Sequence, residues 1–183
     1  MVRFLLVALC LLPGVAPLSG VTMQQLSLDD LAVKSTAIVR GRVVDQYTAL
    51  AGPTVYTHYR VAITDSWKGA GSGTIDVVLP GGSASGIRQT YPGVPQLTVG
   101  REYLLYLWTS SSGMTMPTGF NQGIFNVTVT SDKAATIQVS REASAETMLN
   151  AKGVPVQDKP VTMRLAEAKV HVAAALARAG ALR

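Results

Sequence analysis

The chain has 183 residues, 48% of them hydrophobic and 15% charged, with a net charge of +5. That balance excludes wholesale disorder and supports one sizeable core. The basic residues are scattered rather than gathered into a stripe with interleaved aromatics, which argues against a nucleic-acid-binding protein and leaves solubility, then an anionic partner, as the use of the charge.

Residues Met1–Gly20 (MVRFLLVALCLLPGVAPLSG) open with Arg3, continue in an apolar run from Phe4 to Leu12, and break at Pro13-Gly14 before small residues. This is the pattern of a secretory signal peptide, because the apolar run is about half the ~20 residues a membrane-spanning helix needs. Two cleavage positions fit, after Ala16 and near Gly20. Cys10, the only cysteine, lies inside the run, so a processed chain has no thiol, no disulfide and no cysteine-based metal site. A secreted or periplasmic location is expected, with stability drawn from the core rather than from cross-links.

Ser27 followed three residues later by Asp30 predicts a capping box that opens a short helix over Leu28–Ser35. In Ala37–Asp45, Val39, Gly41 and Val43 alternate with Arg40 and Arg42, which predicts a strand with one wet face and a bulge at Gly41. Tyr47–Pro53 reads as a loop. Val55–Trp67 predicts a long strand, with Val55, Tyr59, Val61 and Ile63 inward and Tyr56, His58, Arg60 and Thr64 outward. Lys68–Gly73 reads as a flexible hairpin turn, and Thr74–Leu79 as its partner strand.

Pro80–Gly100 is long and rich in Gly, Pro and Ser, and loops of that length in a compact domain are usually functional or specially folded. Glu102–Trp108 (EYLLYLW) is apolar on both faces, so this strand must be covered on both sides. A polar loop over Thr109–Thr118, a strand over Ile124–Val129, a turn over Thr130–Lys133 and a strand over Ala135–Ser140 follow. Arg141–Pro160 has no clear period, and Ala143–Asn150 reads as a helical turn. Val161, Leu165, Ala168, Val172 and Leu176 then mark one face of a helix that Thr162 caps and Gly180 ends.

These elements predict a mainly β protein: a small five- to six-stranded barrel of the oligonucleotide/oligosaccharide-binding (OB) type, with a short N-terminal helix and a C-terminal amphipathic helix. A two-sheet sandwich is the alternative. The expected division is a signal peptide over 1–20, a β-barrel domain over 21–145, a linker over 146–160, and a helix over 161–180 packed on the barrel.

The segments LSLDDLAVKSTAIVRGRVV, VYTHYRVAITDSWKG, LPGGSASGIRQTYPGVPQLTVGREYLLYL and GFNQGIFNV, followed by the amphipathic helix, together resemble a group of secreted bacterial proteins that carries no assigned activity. Trp67-Lys68-Gly69 stands where that group has a Leu-Lys-Gly turn. Gly81-Gly82, Gly93-Val94-Pro95, Gly100-Arg101-Glu102 and Gln122-Gly123-Ile124-Phe125 resemble its other motifs. The layout is also similar, in fold only, to the barrel of the tissue inhibitors of metalloproteinases and netrin-like domains. Their inhibitory N-terminal cysteine has no counterpart in a processed chain here.

No set of residues carries a coherent chemistry. His58 and His171 are the only histidines and lie far apart, so no metal site and no cofactor are expected. Ser83 and Ser85 sit among glycines at the wrong spacing for a nucleophile elbow. Gly69, Gly71 and Gly73 lead into a strand rather than the helix that a phosphate loop needs. The leading expectation is therefore a non-enzymatic binding domain for an extracytoplasmic protein partner, an exported protease or an envelope component. Tyr56, His58, Arg60, Arg88 and Tyr91 are its candidate contact residues. The alternatives are a cofactor-free hydrolase using Ser83 or Ser85 with a histidine, and a structural envelope protein.

Overall fold

The computed structural model describes residues 21–131 and 135–181. The expected signal peptide lies outside these, as do residues 132 and 133 of the predicted turn at Thr130–Lys133.

The chain opens with a short strand, β1 (Thr22–Gln24), and a helix, α1 (Leu28–Lys34). The capping box forms: Ser27 Oγ accepts from Asp30 N–H at 3.0 Å, and Asp30 Oδ2 accepts from Ser27 N–H at 3.1 Å. Exchanging these bonds satisfies two of the donors a helix start leaves open. Ser27→Ala is expected to cost about 1 kcal/mol, read as a lowered urea midpoint with an unchanged slope.

The two longest strands follow, β2 (Ala37–Ala51) and β3 (Thr54–Lys68), joined by a tight turn at Gly52-Pro53. Tyr47–Ala51, expected as a loop, is instead the second half of β2, with each residue opposite one of Thr54–His58. Its side chains are mostly exposed, so it carries no burial signal that would mark it as strand. The β2–β3 ladder shifts register at Arg40/Gly41, where the bulge was expected. β4 (Gly73–Pro80) pairs antiparallel with β3, and β5 (Gly82–Ala84) with β6 (Ile87–Gln89) forms a separate small hairpin.

β7 (Glu102–Thr109) runs in the middle of the main sheet, beside β2 on one edge. Its other edge carries β8 (Thr115–Pro117) and β9 (Ile124–Val129), separated by a 3-10 turn at Phe120–Gly123. β10 (Ile137–Arg141), β11 (Thr147–Leu149), β12 (Pro155–Val156), β13 (Val161–Arg164) and α2 (Leu165–Ala181) complete the chain. The main sheet has eight strands in the order β13-β10-β9-β7-β2-β3-β4, with β8 against β7. A second sheet is β1-β11-β12, in which β1 and β11 are parallel.

The fold is thus mainly β with the two expected helices, but several expectations need correction. The main sheet holds more strands than five or six and is open. Its edges are β13 and β4, and among the described residues no ladder joins β4 to β8 or β13, although β4 lies alongside β8. Val161–Arg164 is an edge strand rather than the first turn of the helix, with Thr162 opposite Ser140 instead of capping α2. Val161 and Leu165 share a helical spacing, but the ladder to β10 satisfies the backbone there first. Gly180 lies within α2 rather than ending it. Residues 146–160 hold β11 and β12, which pair with each other, and Ala143–Asn150 contains strand instead of a helical turn.

β7 is covered on both faces, as its sequence demands. Leu105 and Leu107 face an inner cluster with Val39, Val43, Tyr59, Val61, Val77 and Leu79. Leu104 and Tyr106 face an outer cluster with Ile38, Phe125 and Val139, roofed by Leu31 and Ala32 of α1 and Ala168, Val172 and Ala175 of α2. Burial pushes the Tyr106 hydroxyl up to about 12. The long segment after β6 lies over the inner cluster, with Leu97 buried in it, Thr98 N–H donating to Tyr103 Oη at 3.0 Å, and Gly100 N–H donating to Val43 O at 2.7 Å. α2 is clasped to α1 through Asp29, which lies 2.7 Å from both Arg178 and His171. The Arg178 hydrogen bond leads in holding the Asp29 carboxyl below its usual range. No helix among the described residues is long and apolar enough to cross a membrane.

Candidate functional site

Alternation along β3 puts Tyr56, His58 and Arg60 on its outer face and Val55, Thr57, Tyr59 and Val61 on its inner one. The outer three then meet different surroundings. The His58 ring stacks on Tyr47 with centroids 4.6 Å apart, and its Nδ1 lies 2.7 Å from Asp76 Oδ2. Arg60 Nη1 lies 3.7 Å from Asp45. Both are cross-strand contacts on a β surface, and each side chain is engaged within its own sheet.

Tyr56 differs. Its cross-strand neighbour is Pro80, and Gly81 N–H donates to Val55 O at 2.7 Å, turning the chain out of β4. The next residue, Gly82, has φ near +126°, and an added Cβ would meet Thr48 and Thr57 at 2.8 Å. Only glycine lets β5 fold across the inner face this closely. Gln89, at the end of β6, then ties the hairpin down. Its Oε1 accepts from Val55 N–H at 2.6 Å and from Tyr91 Oη at 3.2 Å, and its Nε2 donates to Pro53 O at 2.8 Å. These bonds bring Tyr91 beside Tyr56.

The result is an apolar groove of about 370 Å³, walled by Tyr56, Pro80, Tyr91, Pro92, Val94 and Phe120, with Val21 and Met23 also lining it. Phe120 is 37% exposed with φ near +55°, in the left-handed region that bulky residues rarely occupy. Strain of this kind persists only where the surroundings enforce it, and it concentrates at binding sites. Buried Gln122, two residues on, ties this turn to the N-terminal segment. Its Oε1 accepts from Leu26 N–H at 2.8 Å, and its Nε2 donates to Gln24 O at 3.0 Å, which also anchors β1 and hence Val21 and Met23.

The five predicted contact residues therefore separate. Tyr56 and Tyr91 share the groove. His58 and Arg60 lie beside it on the outer face. Arg88 lines a smaller, polar cleft of about 190 Å³ with Ser83, Gln96 and Tyr59, to which Tyr91 also contributes. Val21, Met23, Pro92 and Phe120 escaped the sequence reading. For Phe120 the one signal was the Gly-Phe pair before Gln122-Gly123, which reads equally well as a plain loop.

Ser83 sits on the inner-face hairpin, with its carbonyl accepting from Thr48 Oγ1. His58 points to the outer face, and His171 lies on α2, against Asp29. Among the described residues no group of three or more His, Cys, Asp or Glu gathers as metal ligands. Protein-family models, curated proteins and solved structures offer no match to this chain.

Proposed function

We propose that this is an exported, non-enzymatic binding domain whose groove at Tyr56, Tyr91 and Phe120 takes an extended apolar segment of an extracytoplasmic protein partner. The observation that carries the reading is the groove wall, three aromatic rings and two prolines held by backbone ties, with no charged side chain among them. Aromatic rings offer large contact area at a low ordering cost, and aromatic-lined grooves are a common way to dock an extended, proline-containing peptide. Export is supported by the leader pattern of residues 1–20 and by the absence of cysteine after it.

The test is selection of binders from a displayed library of unstructured peptides, followed by affinity measurement on variants. Tyr56→Ala and Tyr91→Ala are each expected to weaken a selected peptide at least about tenfold, as truncation of an aromatic anchor does. Arg60→Ala, outside the groove, is expected to change affinity by less than about twofold. Equal losses for all three, or peptides retained only at low salt, would count against the groove.

A further inference from the structure

We propose that the mature chain begins at Val21, and that Glu146 holds the new α-ammonium beside the groove. This rests on the export reading and deepens it by assigning the processing site. The Val21 backbone nitrogen lies 3.2 Å from Glu146 Oε2. Val21 directly precedes β1 and Glu146 directly precedes β11, and these two strands pair in parallel with Thr22 opposite Thr147. Parallel pairing brings the two strand starts together, so the carboxylate stands where the chain enters the fold.

The carboxylate is fixed from two sides. An added Cβ at Gly93 would come within 2.6 Å of Glu146 Oε1, so the side chain lies flat across that glycine. Glu146 N–H donates to Ser144 Oγ at 3.2 Å, orienting the residue from behind. Val21 and Gly93 both line the groove, so Glu146, outside the lining itself, meets two residues that form it.

A peptide N–H offers this carboxylate one neutral donor. A chain start offers a cation with three, and the charge-assisted bond is the stronger. An export-linked peptidase would supply the step by hydrolysis: water adds across the Gly20–Val21 bond, Gly20 departs as the carboxylate of the leader, and the Val21 amine takes up a proton. Of the two cleavage positions the sequence allows, only the one after Gly20 places the charge at Glu146. Cleavage after Ala16 would leave a neutral peptide nitrogen at Val21.

Two measurements test this. The intact mass of the exported protein is expected to correspond to a start at Val21. An exported chain with any other start overturns the inference and leaves export standing, whereas a full-length chain retained in the cell overturns both. Separately, Glu146→Gln is compared in chains beginning at Val21 and at Pro17. It is expected to lower the Tm of the first by about 1–3 °C, an effect that shrinks at high salt, and of the second by less than about 1 °C. Equal shifts in the two chains would overturn the pairing.

Discussion

Asp158→Ala is expected to destabilise the protein by about 3–5 kcal/mol, because it strands a buried guanidinium. Arg141, at the end of β10, is 9% exposed and Asp158 is 7% exposed. Arg141 Nη1 lies 2.6 Å from Asp158 Oδ2 and Nη2 lies 3.3 Å from Oδ1, a two-point contact. Ser144 N–H also donates to Asp158 Oδ2 at 2.8 Å. The pair thereby ties the main sheet to the segment that carries β11 and β12. Replacing both partners with apolar residues, Arg141→Met with Asp158→Leu, is expected to recover much of the loss, since the cost lies in the uncompensated charge.

The same pair sets an acid limit. Burial alone pushes the Asp158 carboxyl up, but the Arg141 hydrogen bond, the backbone donors of Ser144 and Lys159 and the Arg141 charge together outweigh it and bring it down to about 2. A depressed carboxylate contributes stability that is fully present above its unfolded value of 3.8 and is lost as the pH falls through about 2. That gap corresponds to about 2–3 kcal/mol. Urea midpoints measured from pH 6 downward should therefore converge for wild type and Asp158→Ala as the pH drops below about 4. Parallel curves would show that Asp158 is not held ionised by the fold.

Gly69→Ala is expected to cost about 2–5 kcal/mol, from a left-handed backbone and a backbone collision together. Gly69 has φ near +73°, and an added Cβ would lie 2.0 Å from Thr36 O and 3.3 Å from Ala37 Cα. Neither side can yield cheaply. Thr36 N–H donates to Leu107 O at 2.7 Å, fixing it to β7. Lys68 Nζ donates to Ala32 O and Val33 O, both at 2.9 Å, fixing the turn to the end of α1. Two of the carbonyls that a helix end leaves open are thus met by a lysine from the β3–β4 turn. Gly71→Ala supplies the control within the same turn, because nothing lies within 4 Å of its added Cβ and its φ is ordinary. It is expected to stay within about 0.5 kcal/mol of wild type. Equal losses at Gly69 and Gly71 would contradict this account of the turn.

What the sequence made legible was local. Glu102–Trp108 announces a doubly covered strand because no polar residue interrupts either face. Ser27 and Asp30 announce a helix start because the two bonds of a capping box span three residues. The inner and outer faces of β3 follow from alternation alone. What stayed hidden depends on partners distant in the chain. Tyr47–Ala51 is strand only because Thr54–His58 lies opposite. Val161–Arg164 is strand only because β10 presents a free edge. Lys68-Gly69 reads as a flexible turn until α1 is placed beneath it.

The groove was legible in half. Tyr56 stands out as an aromatic on an outward strand face, and Tyr91 as an aromatic in a Gly/Pro-rich loop. Their meeting depends on Gln89, and the far wall depends on Gln122 reaching across 96 residues to Leu26. His58 and Arg60 were grouped with Tyr56 because alternation gives the face of a strand, not where along that face a groove ends.

The central claim is that the groove is the contact surface, and amide NMR of the labelled chain titrated with a library-selected peptide tests it most directly. Saturable shifts confined to Val21–Met23, Thr54–Tyr56, Tyr91–Val94 and Phe120 are the predicted result. Shifts centred on Tyr47, His58 and Asp76, or on Ser83 and Arg88, would place the contact surface elsewhere and contradict it.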